Sequence, residues 1–370
     1  MRYCIEQTRA LAKALLRVLE MIGMKALVLE QQMKLSLREF KIEETLGDGD
    51  VEIAIKRVGI CGSDIHYYTN GKIGPFVVKE PMILGHEGAG VITRVGSDVK
   101  HLKVGDRVCM EPGIPMSFSK SMKEGHYNLD PDVRFWATPP IHGITRESVI
   151  HPAGFTYKLP DNVSLAEGAM VEPLAIGFQA IHKAQIFSGD TAVVTGAGTI
   201  GLMIVLAALT QGCRKIFVVD ISAEKLAIAK AIDPRVIPIL ASNGNESIIK
   251  EVLLQTNGQG AEVVFEASGS AAVNEYLIDL LAPAGKLVYV GMPSRPVSLD
   301  VVKAQAKEVS MYTVFRYANM YERAIASIAA GLIDVKPLIT HTFAFDQAIE
   351  AYEFAASPSG PVVKIQISLE

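Results

Sequence analysis

The chain is 370 residues long, 49% apolar and 21% charged, with a formal net charge of −4. That length exceeds what one hydrophobic core usually serves, so two domains are expected, and the composition is that of an ordinary globular protein. Slight acidity without a Lys/Arg cluster excludes a nucleic-acid backbone as partner.

Residues 1–23 are basic, with Leu11, Leu15, Val18 and Ile22 at helical spacing. They lack the apolar run of a secretion signal. The expectation is a surface helix or a start upstream of a normal one at Met24, with an organelle-targeting helix as the alternative. Cys4, Cys61, Cys109 and Cys213 lie far apart. No disulfide framework is expected, and the cytosol is the expected compartment.

Met24 to Pro173 reads as short strands and turns. Lys25–Glu30 is strand-like, Val51–Val58 and Ala89–Val95 carry a β pattern, and Gly96-Ser97 and Gly105-Asp106 break it. Near Ile176 the pattern becomes strand–helix alternation: Ala192–Thr195, Ile200–Gln211, Ile216–Asp220, Ala223–Ile232. Glu262–Glu266 and Lys286–Val290 follow, each after a helical stretch. Alternation of this kind implies a parallel sheet covered on both faces. A helix at Met320–Ala330 and a strand at Val362–Ile367 close the chain. Thr191 to Cys213 is free of charge and long enough to span a bilayer. Its glycines split it into a buried strand, a turn and a helix, so no membrane span is read.

Gly196-Ala-Gly198-Thr-Ile-Gly201 follows the first of those strands and opens a helix. Glycines at this spacing give a tight turn, close approach to a pyrophosphate and close helix–strand packing. A second strand ends in Asp220, about 20 residues on, where a carboxylate accepts from a ribose diol and repels a 2′-phosphate. NAD is therefore expected over NADP. The bland alternative is a glycine-rich turn followed by a surface aspartate.

In the β region two motifs stand out, Gly59-Ile-Cys61-Gly-Ser63-Asp64-Ile-His66-Tyr67 and Gly85-His86-Glu87. A thiolate, an imidazole and a carboxylate suit zinc, and three ligands with an open fourth position describe a catalytic site. Singly, Cys61 could be a small core residue, His86 a loop residue and Glu87 a solvated charge.

With ICGSDIHYYTNGKIG, LGHEGAGVITRVG, VGDRVCMEPG, YKLPDNVSLAEGAMVEP and TVFRYAN, the chain resembles the medium-chain dehydrogenase/reductases from Met24 to its end. Within them it is most similar to the zinc polyol dehydrogenases acting on sorbitol, xylitol and L-arabinitol, bacterial xylitol dehydrogenases (D-xylulose reductases) above all. The resemblance implies an α/β protein: a mainly β, GroES-like catalytic domain over 24–175 and 314–370, and a doubly wound Rossmann domain over 176–313. It implies Cys61, His86 and Glu87 as zinc ligands, and Glu172 as a carboxylate that completes the shell or holds water beside it. Asp64 matches a residue orienting the ligand histidine. Ser63 matches a proton-relay hydroxyl, and Tyr67, Arg316 and Tyr317 match positions that bind polyol hydroxyls, Glu172 being shared with that set. Ile200, Asp220, Lys225, Val290-Gly291-Met292 and Val314-Phe315 match cofactor contacts. A homodimer or homotetramer is the family's pattern.

One departure stands out. Many relatives bind a second, structural zinc through four cysteines after the EPG motif, and here those positions hold Met116, Ser119, Met122 and Asp130. One zinc per chain is expected. Cys109 reads as core and His126 as a surface or interface residue. A dehydrogenase acting on another secondary alcohol, and a non-catalytic NAD-binding protein, are the alternative readings. Phe315-Arg316-Tyr317 favours the polyol branch over the former, and the intact ligand set weighs against the latter.

Overall fold

A computed structural model describes residues 23–370, and the expectations for residues 1–22 lie outside it. The chain opens with a hairpin, β1 (Met24–Gln31) and β2 (Lys34–Phe40), and runs into the long β3 (Asp50–Ile60). Helix α1 (Gly62–Asn70) follows, then β4 (Glu87–Val95), β5 (Arg107–Met110), β6 (Ser148–Pro152) and β7 (Thr156–Lys158). The long helix α2 (Val171–Ala184) then leads into a second sheet. Pro173 sits in its first turn, where a missing N–H breaks no bond.

The second sheet contains β8 (Thr191–Thr195), β9 (Lys215–Asp220), β10 (Val236–Leu240), β11 (Ala261–Glu266), β12 (Leu281–Tyr289) and β13 (Ser310–Thr313). Its connections include α3 (Thr199–Thr210), α4 (Ala223–Ile232) and α5 (Asn245–Gln255). All pairings are parallel in the order β10-β9-β8-β11-β12-β13. The order reverses between β8 and β11, the switch point at which open α/β sheets bind ligands. The charge-free stretch is β8 and α3, and α3 is apolar all round because it is buried on most of its surface.

The last segment adds α6 (Tyr321–Ala329), β14 (Ile339–Ala344), α7 (Ala348–Ala356) and β15 (Lys364–Ser368). β14 and β15 return to the first sheet, ordered β7-β5-β4-β3-β15-β14 with β6 also on β3. The chain's last strand therefore lies directly beside the strand that leads into Cys61. One apolar core continues from Ala89 and Cys109 of the first sheet through α2 to Val194 and Val218 of the second. Cys109 and Cys213 are both fully buried there, so Cys109 is core as expected.

One expected helix differs. Before β12 the chain makes a short 3-10 turn, Ala271–Glu275, in place of an α-helix. The Asn274 side chain bonds the carbonyls of Ser270 and Ala271, competing with regular helical bonding. Among the described residues no helix is long and apolar enough to cross a membrane.

Candidate metal and dinucleotide site

Cys61 is the N-cap of α1, delivered by β3. Asp64, three residues on, closes a reciprocal cap by accepting from the Cys61 N–H at 3.0 Å through Oδ2. Its other oxygen accepts from the Gly85 N–H at 3.0 Å, and the carboxylate is fully buried. One side chain thus ties the loop bearing Cys61 to the loop bearing His86. Glu87 starts β4 and pairs with Gly59 of β3. A Cβ at Gly59 would lie 2.0 Å from Glu87 Oε2, so glycine there makes room for the carboxylate.

Cys61, His86 and Glu87 each offer a ligand atom, all within 4.8 Å of one another. A soft sulfur, an imidazole nitrogen and a carboxylate oxygen fit zinc. The buried Nδ1 of His86 has no hydrogen-bond partner and faces Asp64 Oδ1 at 3.7 Å. This is the kind of outer carboxylate that orients a zinc-bound imidazole. Burial opposes protonation of His86, but Asp64 and Cys61 outweigh it and hold the imidazole well above its ordinary range.

The sequence reading missed Lys364. Its ammonium, 2% exposed, reaches across from β15 to both oxygens of Glu87, at 2.7 and 2.6 Å, and to the Ile60 carbonyl at 3.0 Å. Burial pulls Lys364 down, yet Glu87 and Cys61 raise it above the usual lysine value. Glu87 and Cys61 thus share one lysine, and a dication held by Cys61, His86 and Glu87 would add further positive charge to the cluster.

Glu172 stands beside this cluster without joining it. It lies in the first turn of α2 and accepts from the Tyr317 hydroxyl at 2.7 Å. Burial pushes it up to about 7, with Glu87 adding and His86 and Tyr317 opposing. Arg316, at φ +57°, lays its guanidinium 3.8 Å from the centre of the Phe135 ring, and that ring lies 5.5 Å from the His86 ring. A non-glycine residue held in the left-handed region is a constraint of the sort found at functional sites. Tyr67 is buried at the same place and bonded to Thr138. Ser63 lies half-buried in the first turn of α1. The fold thus brings Tyr67, Glu172, Arg316 and Tyr317 together beside Cys61, His86 and Glu87, and Ser63 stands two residues after Cys61 on α1.

Behind them, Glu111 of the EPG motif accepts from Tyr127 at 2.7 Å and Tyr157 at 2.9 Å, and the Tyr127 oxygen accepts from the Asn319 N–H at 2.8 Å. Asn128 donates to the Phe315 carbonyl at 2.7 Å. The lobe after EPG so grips the segment carrying Arg316 and Tyr317. At the four positions expected to have lost a structural zinc, Asp130 accepts from the Met116 N–H at 3.2 Å and bonds the Ser119 side chain, and Ser119 Oγ accepts from the Met122 N–H at 3.1 Å. The four positions still converge, through a carboxylate hub. His126 is exposed, as read.

In the second sheet Gly196 turns at φ +96° and Gly198 caps α3. Asp220 ends β9 and accepts from the Ala197 N–H at 2.6 Å and the Ser222 N–H at 2.8 Å, which sets its carboxylate at the mouth of the glycine turn. Gly201 and Ile200 lie in the first turn of α3, and Lys225 in that of α4. Val290, Gly291 and Met292 follow β12, with Met292 largely exposed, and Val314 and Phe315 follow β13. All of these stand at the carboxyl ends of the parallel strands.

A mainly β unit holding an open three-ligand zinc set, joined to a doubly wound dinucleotide sheet, defines a zinc- and NAD-dependent oxidoreductase. Residues 47–161 match the alcohol dehydrogenase GroES-like domain and residues 199–330 the zinc-binding dehydrogenase model. The chain belongs to the zinc-binding dehydrogenases. It is 55% identical to a D-xylulose reductase of Morganella morganii, over 90% of this chain and 98% of that one. It is 41% identical to rat sorbitol dehydrogenase, over 92% and 95%. Among solved structures, a dehydrogenase of unknown specificity from Escherichia coli superposes with a TM-score of 0.88 at 35% identity, covering 93% of this chain and 98% of its own.

Two outcomes follow from the buried charges. Replacing one member of a buried pair costs roughly 3–5 kcal/mol because the other charge is stranded. Lys364→Met should lower the melting temperature sharply in chelator and much less with zinc present, where Glu87 has the metal as partner. Equal losses in both conditions would contradict the assignment. Glu111 is pushed up to about 7 by burial, against the bonds from Tyr127 and Tyr157 and with Glu172 adding. Its contribution to stability is then complete below the ordinary value of 4.5 and is lost as pH rises through 7. That amounts to roughly 3 kcal/mol. Melting curves between pH 5 and 8 should show that decline, and Glu111→Gln should shrink it, leaving the part due to Glu172, which burial also raises to about 7.

Proposed function

We propose that this chain oxidises a secondary hydroxyl of a polyol to the ketose with NAD+ as hydride acceptor, xylitol to D-xylulose being the first candidate and sorbitol or L-arabinitol next. The observation that carries this reading is the placement of Arg316, Tyr67 and the Tyr317–Glu172 pair around the Cys61–His86–Glu87 cluster. A hydroxyl-rich substrate needs such a wall of donors and acceptors, and a simple alkyl alcohol does not. The high identity to proteins named D-xylulose reductase and sorbitol dehydrogenase supports it.

Cys61, His86 and Glu87 would hold the zinc, which when bound acts as a Lewis acid that lowers the pKa of an alcohol. Arg316 and Tyr67 hold the substrate's remaining hydroxyls. Ser63 relays the proton, and Glu172, ionising near neutrality and steadied by Tyr317, accepts it or holds the water that does. NAD, when bound, would supply the hydride acceptor, and Asp220 and the Gly196–Gly201 turn would hold its adenosine half and pyrophosphate. The domain division is 24–175 with 314–370 for the catalytic part and 176–313 for the cofactor part.

The deciding experiment is zinc analysis together with NADH formation over a panel of pentitols and hexitols. We expect zinc in stoichiometric amount, turnover on xylitol or a neighbouring polyol, and loss of both in Cys61→Ala. Asp64→Asn should cost on the order of 10–100-fold in zinc affinity or rate. A zinc-loaded enzyme silent on every polyol would overturn the reading. We also propose a cytoplasmic homo-oligomer. The edge strand β13 and the exposed Met311, Val301 and Val302 near it support association, since an open edge beside apolar side chains invites a partner. Light scattering after size exclusion should return a dimer or tetramer, and a monomer at micromolar concentration would exclude it.

A further inference from the structure

Glu266, the last residue of β11, is 1% exposed, and among the described residues none of its bonds or ion pairs involves a Lys, Arg or His. A buried carboxylate is expensive unless donors surround it. Its Oε1 accepts from the Ser268 N–H at 2.8 Å, the Ser268 hydroxyl at 2.6 Å and the Gly269 N–H at 3.0 Å. The Thr195 hydroxyl, at the end of β8, approaches the same oxygen at 3.5 Å. The Glu266 carbonyl accepts from the N–H groups of both Val290 and Gly291, each at 2.8 Å.

Three loops thus meet on one residue: the glycine turn after β8, residues 267–269 after β11, and residues 290–292 after β12. They pack to backbone contact. A Cβ on Gly291 would lie 2.4 Å from the Gly269 nitrogen and 2.6 Å from Glu266 Oε2. A Cβ on Gly196 would lie 3.0 Å from the Ser268 nitrogen. These loops stand over the carboxyl ends of β8, β11 and β12, at the switch point where the dinucleotide's pyrophosphate and nicotinamide half belong.

We propose that Glu266 is the positioning residue of the cofactor site: its carboxylate, without touching NAD, ties the 267–269 loop to Thr195 at the foot of the glycine turn, while Gly291 packs against its other oxygen, and so sets the shape of the cleft. The inference rests on the NAD-dependent reading above. An ionised oxygen suits the task because charge-assisted bonds are about twice as strong as neutral ones. Glutamine at this position keeps one acceptor oxygen but loses that assistance, so it should be intermediate.

The test uses the full-length zinc enzyme with Glu266→Ala, Glu266→Gln and Ser268→Ala, reading the NADH dissociation constant by fluorescence titration beside zinc content and KM for the polyol at saturating cofactor. Losing charge-assisted bonds to a loop that shapes a site should weaken NADH roughly tenfold in Glu266→Ala, with Ser268→Ala and Glu266→Gln each in between. Zinc content and polyol KM should hold. If Glu266→Ala does not fold, the two milder variants decide by the same ordering. NADH affinity within about twofold of the parent in every folded variant, with only the melting temperature reduced, would reduce Glu266 to a structural role. A parent that binds no NADH at all would instead overturn the cofactor reading, and this inference with it.

Discussion

The site depends first on one buried carboxylate. Asp64 has no exposure and spends its two oxygens on the Cys61 and Gly85 amides, while its face turns to His86. A short side chain with two acceptors is the smallest device that can fix two loops and orient an imidazole at once. Remove it and the sulfur and the nitrogen lose their common reference, although each sits on a sound strand or helix. The rest of the centre is built outward from there. Gly59 clears space for Glu87, and Lys364 supplies the charge that lets Glu87 stay buried.

Charge accounts for the chemistry of the centre. Cys61, Asp64, Glu87 and Glu172 crowd a region that also holds Lys364, the ring-stacked Arg316 and a His86 pushed towards its protonated form. Cys61, His86 and Glu87 would hold a dication there, supplying three ligand atoms to it. Glu172 is the group set apart. It is buried, accepts from Tyr317 and is raised towards neutrality by that burial.

What was legible in the sequence was local. The glycine turn and Asp220 lie on one strand–helix–strand unit, and Cys61 to Tyr67 lie on one helix with its cap, so spacing alone displays them. Lys364 was illegible for the opposite reason. Its partner is 277 positions away, and a lysine in a strand reads as a solvent-facing residue. Glu266 reads as an ordinary strand end, because its bonds run to amides that sequence does not mark. Phe135 reads as packing until the fold lays Arg316 on it. The lobe after EPG shows a middle case. The missing cysteines are plain in the sequence, but the Asp130 hub that links Met116 and Ser119 appears only with coordinates. The helix expected before β12 failed because Asn274 bonds its own backbone, a choice that apolar periodicity does not register.

The placement of Lys364 also governs the order of events on the ribosome. β3, α1 and β4 emerge early with Cys61, His86 and Glu87 in hand, yet Glu87 has no counter-charge until β15 has been made and slotted beside β3. Thr199, at the start of α3, is bonded to the carbonyl of Val363, the residue just before β15, so the approach to that strand also fastens the cofactor sheet. Until that strand is in place, the Glu87 carboxylate lacks the lysine that balances it in the folded chain.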